Sequence, residues 1–158
     1  MPAITALIHT KNDALRLGRT LETLYPCDQI VVVDHGSQDG TLHVAREYGA
    51  RVVASASEAA DRNYLPADAE WVLCLDPRES LTEGLAASLF EWKTEHVAGD
   101  ASAFAVFVRE ETAQGWLENP AAQTRLVRAN WDRWKSMLPP NDPAAVALEG
   151  ELLRFVLP

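Results

Sequence analysis

The side chains best suited to chemistry fall in three clusters, each at the end of an apolar run. His9, Thr10, Lys11 and Asn12 follow the run 3–8. Asp34 and Ser37 follow Ile30-Val31-Val32-Val33, with Gly36, Asp39 and Gly40 around them. Asp76, Arg78 and Glu79 follow Glu70-Trp71-Val72-Leu73-Cys74-Leu75. Carboxylates, hydroxyls and fixed cations gathered in this way can hydrogen-bond a polar ligand and meet its charge. In open parallel sheets the carboxyl ends of strands are where ligands bind. The acidic, glycine-rich tip at Asp34 is therefore the first candidate for part of a site.

The elements that must position these clusters follow from hydrophobic period. Residues 30–33 have no helical period and suit a strand buried on both faces. From Thr41 the pattern turns helical, with Leu42, Ala45 and Tyr48 recurring and Gly49 placed as a C-cap. Residues 3–8 predict a first strand. A helix is predicted over 14–24, with Leu17, Leu21 and Leu24 on one face and Asn12 or Asp13 as cap. Residues 51–54 predict a third strand, 58–65 a short helix, 70–75 a fourth strand, and 82–96 a helix with Leu85, Leu89 and Trp92 inward. This regular alternation indicates a parallel, doubly wound α/β sheet.

The last third differs. Strands are predicted over 103–108, 123–127 and 149–156, separated by loops at Asn119-Pro120 and at 138–143. Trp116, Trp131 and Trp134 lie in this region. They suit either the edge of a thin core or the wall of a sugar site.

With 158 residues, 47% of them hydrophobic, the expectation is one domain with an ample core. A net charge of −9 argues against nucleic acid or an anionic membrane surface as the main partner. No apolar stretch reaches the length of a membrane span, and His9 and Lys11 come too early for a signal peptide. Cys27 and Cys74 form no CxxC pair and read as unpaired thiols of a reducing cytoplasm.

Taken together, these stretches resemble the family 2 glycosyltransferases of GT-A (Rossmann-like) fold. More narrowly they resemble the bacterial branch that adds sugars to lipopolysaccharide core. The resemblance rests on Ala6-Leu-Ile-His-Thr-Lys-Asn12, on 30–41 with Ala45-Arg-Glu-Tyr-Gly49, and on Arg62-Asn63 ahead of Glu70–Asp76. It covers roughly the first 95 residues of the sequence. Residues 123–128 and Leu148-Glu-Gly150 more faintly resemble the acceptor half. It implies a mostly parallel sheet flanked by helices, in a single domain with a nucleotide-binding half over 1–98 and a reduced acceptor half over 99–158. It also implies a donor site in which His9, Thr10, Lys11, Asn12, Asp34 and Ser37 flank base and ribose. Arg62 and Asn63 would lie near the diphosphate. The ligand implied is a nucleotide-sugar, a UDP-sugar being the working choice. Hexose transfer to a glycan or lipid-linked acceptor follows, with peripheral contact at a membrane-linked acceptor and a homodimer as further expectations.

Two departures from the family pattern bear on catalysis. The family places a metal-binding Asp-x-Asp at the fourth strand's tip, and this sequence has Asp76-Pro77-Arg78-Glu79. Arg78 stands where the Mg²⁺- or Mn²⁺-binding carboxylate is expected, and a cation there repels the metal. Three readings stay open: Arg78 replaces the metal with Asp76 and Glu79 beside it; Asp76 and Glu79 hold a metal in a shifted frame; or transfer has been lost and a binding or partner protein remains. The family's His-Glu pair after the arginine-bearing strand is also missing. Asp132 is the nearest carboxylate that could serve as base.

Overall fold

The structure, a computed structural model, describes residues 2–55, 64–95, 101–131 and 137–156. Its elements run β1 (Ile4–Thr10), α1 (Leu17–Leu21), β2 (Gln29–Asp34), α2 (Thr41–Glu47), β3 (Arg51–Ala54), β4 (Trp71–Leu75), β5 (Glu79–Leu81), α3 (Glu83–Glu95), β6 (Ala103–Thr112), β7 (Gly115–Trp116), β8 (Ala121–Arg128) and β9 (Val146–Arg154).

One sheet carries them in the order β3-β2-β1-β4-β8-β6-β9-β5, with β7 hairpinned onto β6. β1 lies parallel to both β2 and β4, and β2 parallel to β3. This is the parallel half expected from the alternating pattern. Beyond it the sheet is mixed: β8 runs antiparallel to β4 and β6, β9 parallel to β6, and β5 antiparallel to β9. Since β6 is antiparallel to β8 and β8 to β4, the carboxyl end of β6 lies at the same edge as the tips of β1, β2 and β4.

Strand alternation sorts the core into two layers. Ile4, Ala6, Ile8, Val32, Leu73, Leu75 and Leu126 pack on Leu17 and Leu21 of α1 and Leu24 just after it, on Ala45 of α2, and on Leu85, Leu89 and Trp92 of α3. The opposite set, Leu7, Val31, Val33, Val72, Cys74 and Val127, is covered by Tyr64, Leu65, Trp131 and Leu138. Helices on both faces were expected. Among the described residues all three lie on one face, and the other is covered by irregular chain.

The expected helix over 14–24 shrinks to a short α1. Neither Asn12 nor Asp13 caps it, because each side chain bonds elsewhere: Thr10 Oγ and the Lys11 amide donate to Asp13 Oδ2. Asn12 sits at φ 57°, where its own carboxamide accepts from the Gln38 amide at 2.8 Å. The expected inner face holds, since Leu17, Leu21 and Leu24 are all buried. α3 begins as expected, with Thr82 Oγ accepting from the Leu85 amide. Cys27 and Cys74 are free thiols, and burial raises both, Cys27 to about 12.

Two features escaped the periodicity. β5 begins on a fully buried glutamate, which no apolar pattern announces. β9 crosses the start of α3 so closely that a Cβ on Gly150 would lie 2.3 Å from the Leu85 amide nitrogen, at φ +93°. Leu148-Glu-Gly150 thus has a packing reason for its glycine.

Candidate functional site

Register brings the clusters to one level. Thr10 lies opposite Asp34 across β1 and β2, and Ile8 lies opposite Leu75 across β1 and β4. His9 therefore stands beside the start of the Asp76 turn. The loops after β1 and β2 are sewn together: the Asn12 amide donates to Ser37 Oγ, the Asp13 amide to Thr41 Oγ, and the His35 amide to the Thr10 carbonyl. Asp39 accepts from the Ala14 and Thr41 amides. Asp34, almost fully buried, accepts from the Gly36 and Ser37 amides and from Ser37 Oγ at 2.5 Å. Its carboxylate shapes its own turn, which then presents Ser37 to Asn12. Lys11 is exposed at the rim.

His9 is the least settled member of the cluster. Its Nδ1 lies 2.8 Å from His35 Nε2, the rings stack, and Tyr64 meets it edge-on. Tyr64 is in turn held by Ser55, hydroxyl to hydroxyl at 2.5 Å. Burial, and secondarily the His35 charge, depress the His9 imidazole to about 4, so it is neutral at pH 7. His9 is only 7% exposed, and its Nε2 has no hydrogen-bond partner among the described residues. A buried imidazole nitrogen left unpaired is costly, on the order of 1–3 kcal/mol. His9 lines a small pocket of about 90 Å³ with Leu75, Asp76, Pro77, Met137 and Leu138.

At the third tip Arg78 turns back on Asp76. Its Nε and Nη2 donate to the two carboxylate oxygens at 2.9 and 3.0 Å, and its amide donates to Oδ1 at 2.9 Å. Burial alone would raise the Asp76 carboxyl, but these Arg78 hydrogen bonds outweigh it and hold the group below its ordinary value. The same bonds raise the Arg78 guanidinium. A guanidinium has five N–H groups in all. With Nε and one hydrogen of Nη2 engaged, the N–H groups of Nη1 and the second hydrogen of Nη2 have no acceptor among the described residues.

Glu79 requires a correction. It does not reach the ligand or a metal, because it is 0% exposed and both its oxygens are occupied. Oε1 accepts from Arg125 Nη1 at 2.6 Å and from the Asp76 amide at 2.8 Å. Oε2 accepts from Arg125 Nη2 at 2.8 Å and Arg154 Nη2 at 2.9 Å. Arg125, itself 1% exposed, also donates to the Cys74 carbonyl and to Gln123. Glu79 is thus an internal clamp that fixes the Asp76 turn. Sequence reasoning places it with Asp76 at the donor or a shifted metal because Arg125, the residue that explains it, is 46 positions away.

The donor set does not fit a divalent cation. Asp76 is taken up by a guanidinium, Glu79 by two, and the described residues hold no cluster of three or more His, Cys, Asp or Glu side chains that could bind a metal. Arg62, Asn63 and Asp132 lie outside the described residues, as does the helix expected over 58–65 for all but its end.

No family model matches the chain. It is 29% identical over 101 residues to an uncharacterized glycosyltransferase of Rickettsia prowazekii (strain Madrid E), covering 61% of this chain and 35% of that protein. A second uncharacterized glycosyltransferase, from Rickettsia typhi (strain ATCC VR-144 / Wilmington), is 30% identical over 90 residues, covering 54% and 31%. The chain spans about a third of the length of these relatives. Among solved structures, residues 1–349 of S. aureus TarS superpose with a TM-score of 0.53 at 19% identity, over 72% of this chain and 37% of that one. Glucosyl-3-phosphoglycerate synthase from Mycobacterium tuberculosis, in complex with Mn²⁺, UDP and glucosyl-3-phosphoglycerate, gives 0.51 at 18%, over 68% and 44%. The class is thereby defined by fold: an α/β protein of GT-A fold. In sequence the chain is similar, over part of its length, to uncharacterized glycosyltransferases.

Proposed function

We propose that this chain binds a nucleoside diphosphate sugar across the tips of β1, β2 and β4, and that Arg78 supplies the counter-charge usually provided by a metal. The observation that carries the reading is His9 Nε2, a buried nitrogen at the level of Asp76 with no hydrogen-bond partner among the described residues. Such an atom is stabilised by a ligand that bonds it. In this reading His9 contacts the base or ribose, with Thr10, Lys11, Asn12, Asp34 and Ser37 framing that end. Arg62 and Asn63 flank the diphosphate. Asp76 orients the sugar while Arg78 turns its remaining N–H groups to phosphate oxygens.

Transfer would then follow the resembled family: an acceptor hydroxyl oxygen bonds to the anomeric carbon of a hexose, the bond to the diphosphate breaks, and configuration inverts. The acceptor proton goes to a base, for which Asp132 is the candidate. UDP as the nucleotide and a glycan or lipid-linked acceptor belong to this proposal. A second reading, donor binding without turnover, is favoured by one observation. Asp13, Asp34, Asp39, Asp76 and Glu79, carboxylates around the described tips, all accept from neighbouring groups.

Calorimetric titration of UDP and UDP-glucose, with Mn²⁺ and then with EDTA, tests the proposal. The expected result is binding that survives EDTA and weakens about tenfold in Arg78→Ala, a loss of about 1.4 kcal/mol. Binding that requires Mn²⁺ would overturn the role given to Arg78. No binding of either ligand would overturn the donor site. Release of UDP from UDP-glucose, absent in both the wild type and Asp132→Asn, would favour the second reading.

A further inference from the structure

The aromatic residues of the last third were expected to plug the core edge or to line a sugar site, and the structure divides them. Trp131 is 5% exposed and packs with Leu7 and Val127. Trp116 is 40% exposed, on the two-residue β7 of a hairpin at the carboxyl end of β6. That end of the sheet is the one bearing the β1, β2 and β4 tips.

Trp116 is held rather than left loose. Its hairpin is closed by Thr112 Oγ donating to the Gly115 carbonyl at 2.6 Å. Arg109 braces it from β6, donating to the Leu117 and Glu118 carbonyls while its Nε bonds Glu151 on β9 at 2.7 Å. The indole meets Phe155 edge to face, ring centroids 5.2 Å apart. Phe155 is tied to the β4 tip through its amide, which donates to the Arg78 carbonyl at 2.9 Å. Over the Phe155 ring, at 3.8 Å, lies the guanidinium of Arg19 from α1. Stacking engages the face of that guanidinium and leaves its in-plane N–H groups available. Among the described residues Arg19 makes no ion pair, whereas Arg78, Arg109, Arg125 and Arg154 all do.

We infer that Trp116, Phe155 and Arg19 form a platform for a saccharide ring bearing an acidic group. An exposed indole offers its face to the C–H side of a sugar, and a guanidinium without a carboxylate beside it suits a phosphate or carboxylate on that sugar. The platform abuts Arg78, where the proposed donor presents its sugar, so its occupant would be the acceptor. That assignment rests on the donor reading; the platform as a binding site does not.

The test is a titration of glucose 6-phosphate into the ¹⁵N-labelled chain, following the indole N–H resonances, with methyl glucoside and inorganic phosphate in parallel and UDP titrated into the same wild-type sample. The Trp116 resonance, assigned by its loss in Trp116→Phe, is expected to shift saturably with glucose 6-phosphate. In Arg19→Gln the affinity should fall on the order of tenfold, to the level of methyl glucoside. A Trp116 resonance that stays still while UDP binds would overturn the platform and leave the donor site standing. An equal response to inorganic phosphate alone would overturn the saccharide and reduce the site to an anion contact. A saturable shift in a chain that fails to bind UDP would uphold the platform and remove the donor reading.

Discussion

Replacing Arg125 by Met would separate the two roles that Glu79 could have had. Arg125 donates two hydrogen bonds to Glu79, at 2.6 and 2.8 Å, with both side chains almost wholly buried. Removing one member of a buried pair leaves the other's charge uncompensated, at about 3–5 kcal/mol. Arg154 still reaches Oε2, so the lower part of that range is expected, about 3 kcal/mol. For a chain of this length that lowers Tm by roughly 6–12 °C, taking about 2–4 °C per kcal/mol. The double variant Arg125→Met/Glu79→Leu removes both charges and leaves Arg154 with Glu110 as its partner, so it should be less destabilised than the two single changes summed. Urea unfolding followed by tryptophan fluorescence measures all the variants. If Arg125→Met unfolds at the wild-type midpoint, or if the double variant shows simple additivity, Glu79 is not a clamp and the case against a ligand-facing role falls with it.

Three further outcomes follow from the same geometry. His9 is depressed from 6.5 to about 4 in the folded chain, so between those values the unfolded state binds the extra proton. Its contribution is intact above pH 6.5 and is lost as pH falls toward 4, by on the order of 3 kcal/mol. Asp28, Asp39 and Asp76 are all lowered from 3.8 and lose their contributions only below that window. His9→Gln should therefore flatten the stability profile between pH 6.5 and 4 and leave the acid limb alone; an unchanged slope would refute the burial argument. Gly150→Ala is expected to destabilise by about 2–4 kcal/mol, because the new Cβ meets the Leu85 backbone and the residue keeps a positive φ. A midpoint within error of wild type would show that β9 and α3 are not in such close contact. Asn12→Gly relieves φ 57° but removes the bond to the Gln38 amide, so a net change under about 1 kcal/mol is expected by the same unfolding assay.

Local pattern was sufficient for the parallel half of the molecule. Buried strands such as Ile30–Val33 need only a run of apolar, β-branched residues, and β3 falls on the expected residues 51–54. Leu85, Leu89 and Trp92 declared the inner face of α3 by spacing alone. The clustering of His9, Asp34 and Asp76 was legible too, since parallel strands put their carboxyl ends at one edge and the chemistry-bearing residues all follow strands. Helix α1 was overestimated because apolar spacing cannot tell that Asp13 serves Thr10 and Lys11 instead of a helix end.

What the sequence by itself determined is that chemistry-bearing side chains follow the parallel strands at one edge of the sheet, and that a cation stands where a metal-binding carboxylate was expected. What only the tertiary structure decided is how those charges are used. Arg78 closes on Asp76, Glu79 is withdrawn between Arg125 and Arg154, and the Asp34 carboxylate holds its own turn. Trp116 and Trp131 have opposite exposures although sequence offers the same two readings for both. The physical reason is range: strand and helix signals are carried by residues a few positions apart, whereas the Glu79 clamp joins residues 46 and 75 positions apart, and no local pattern encodes them.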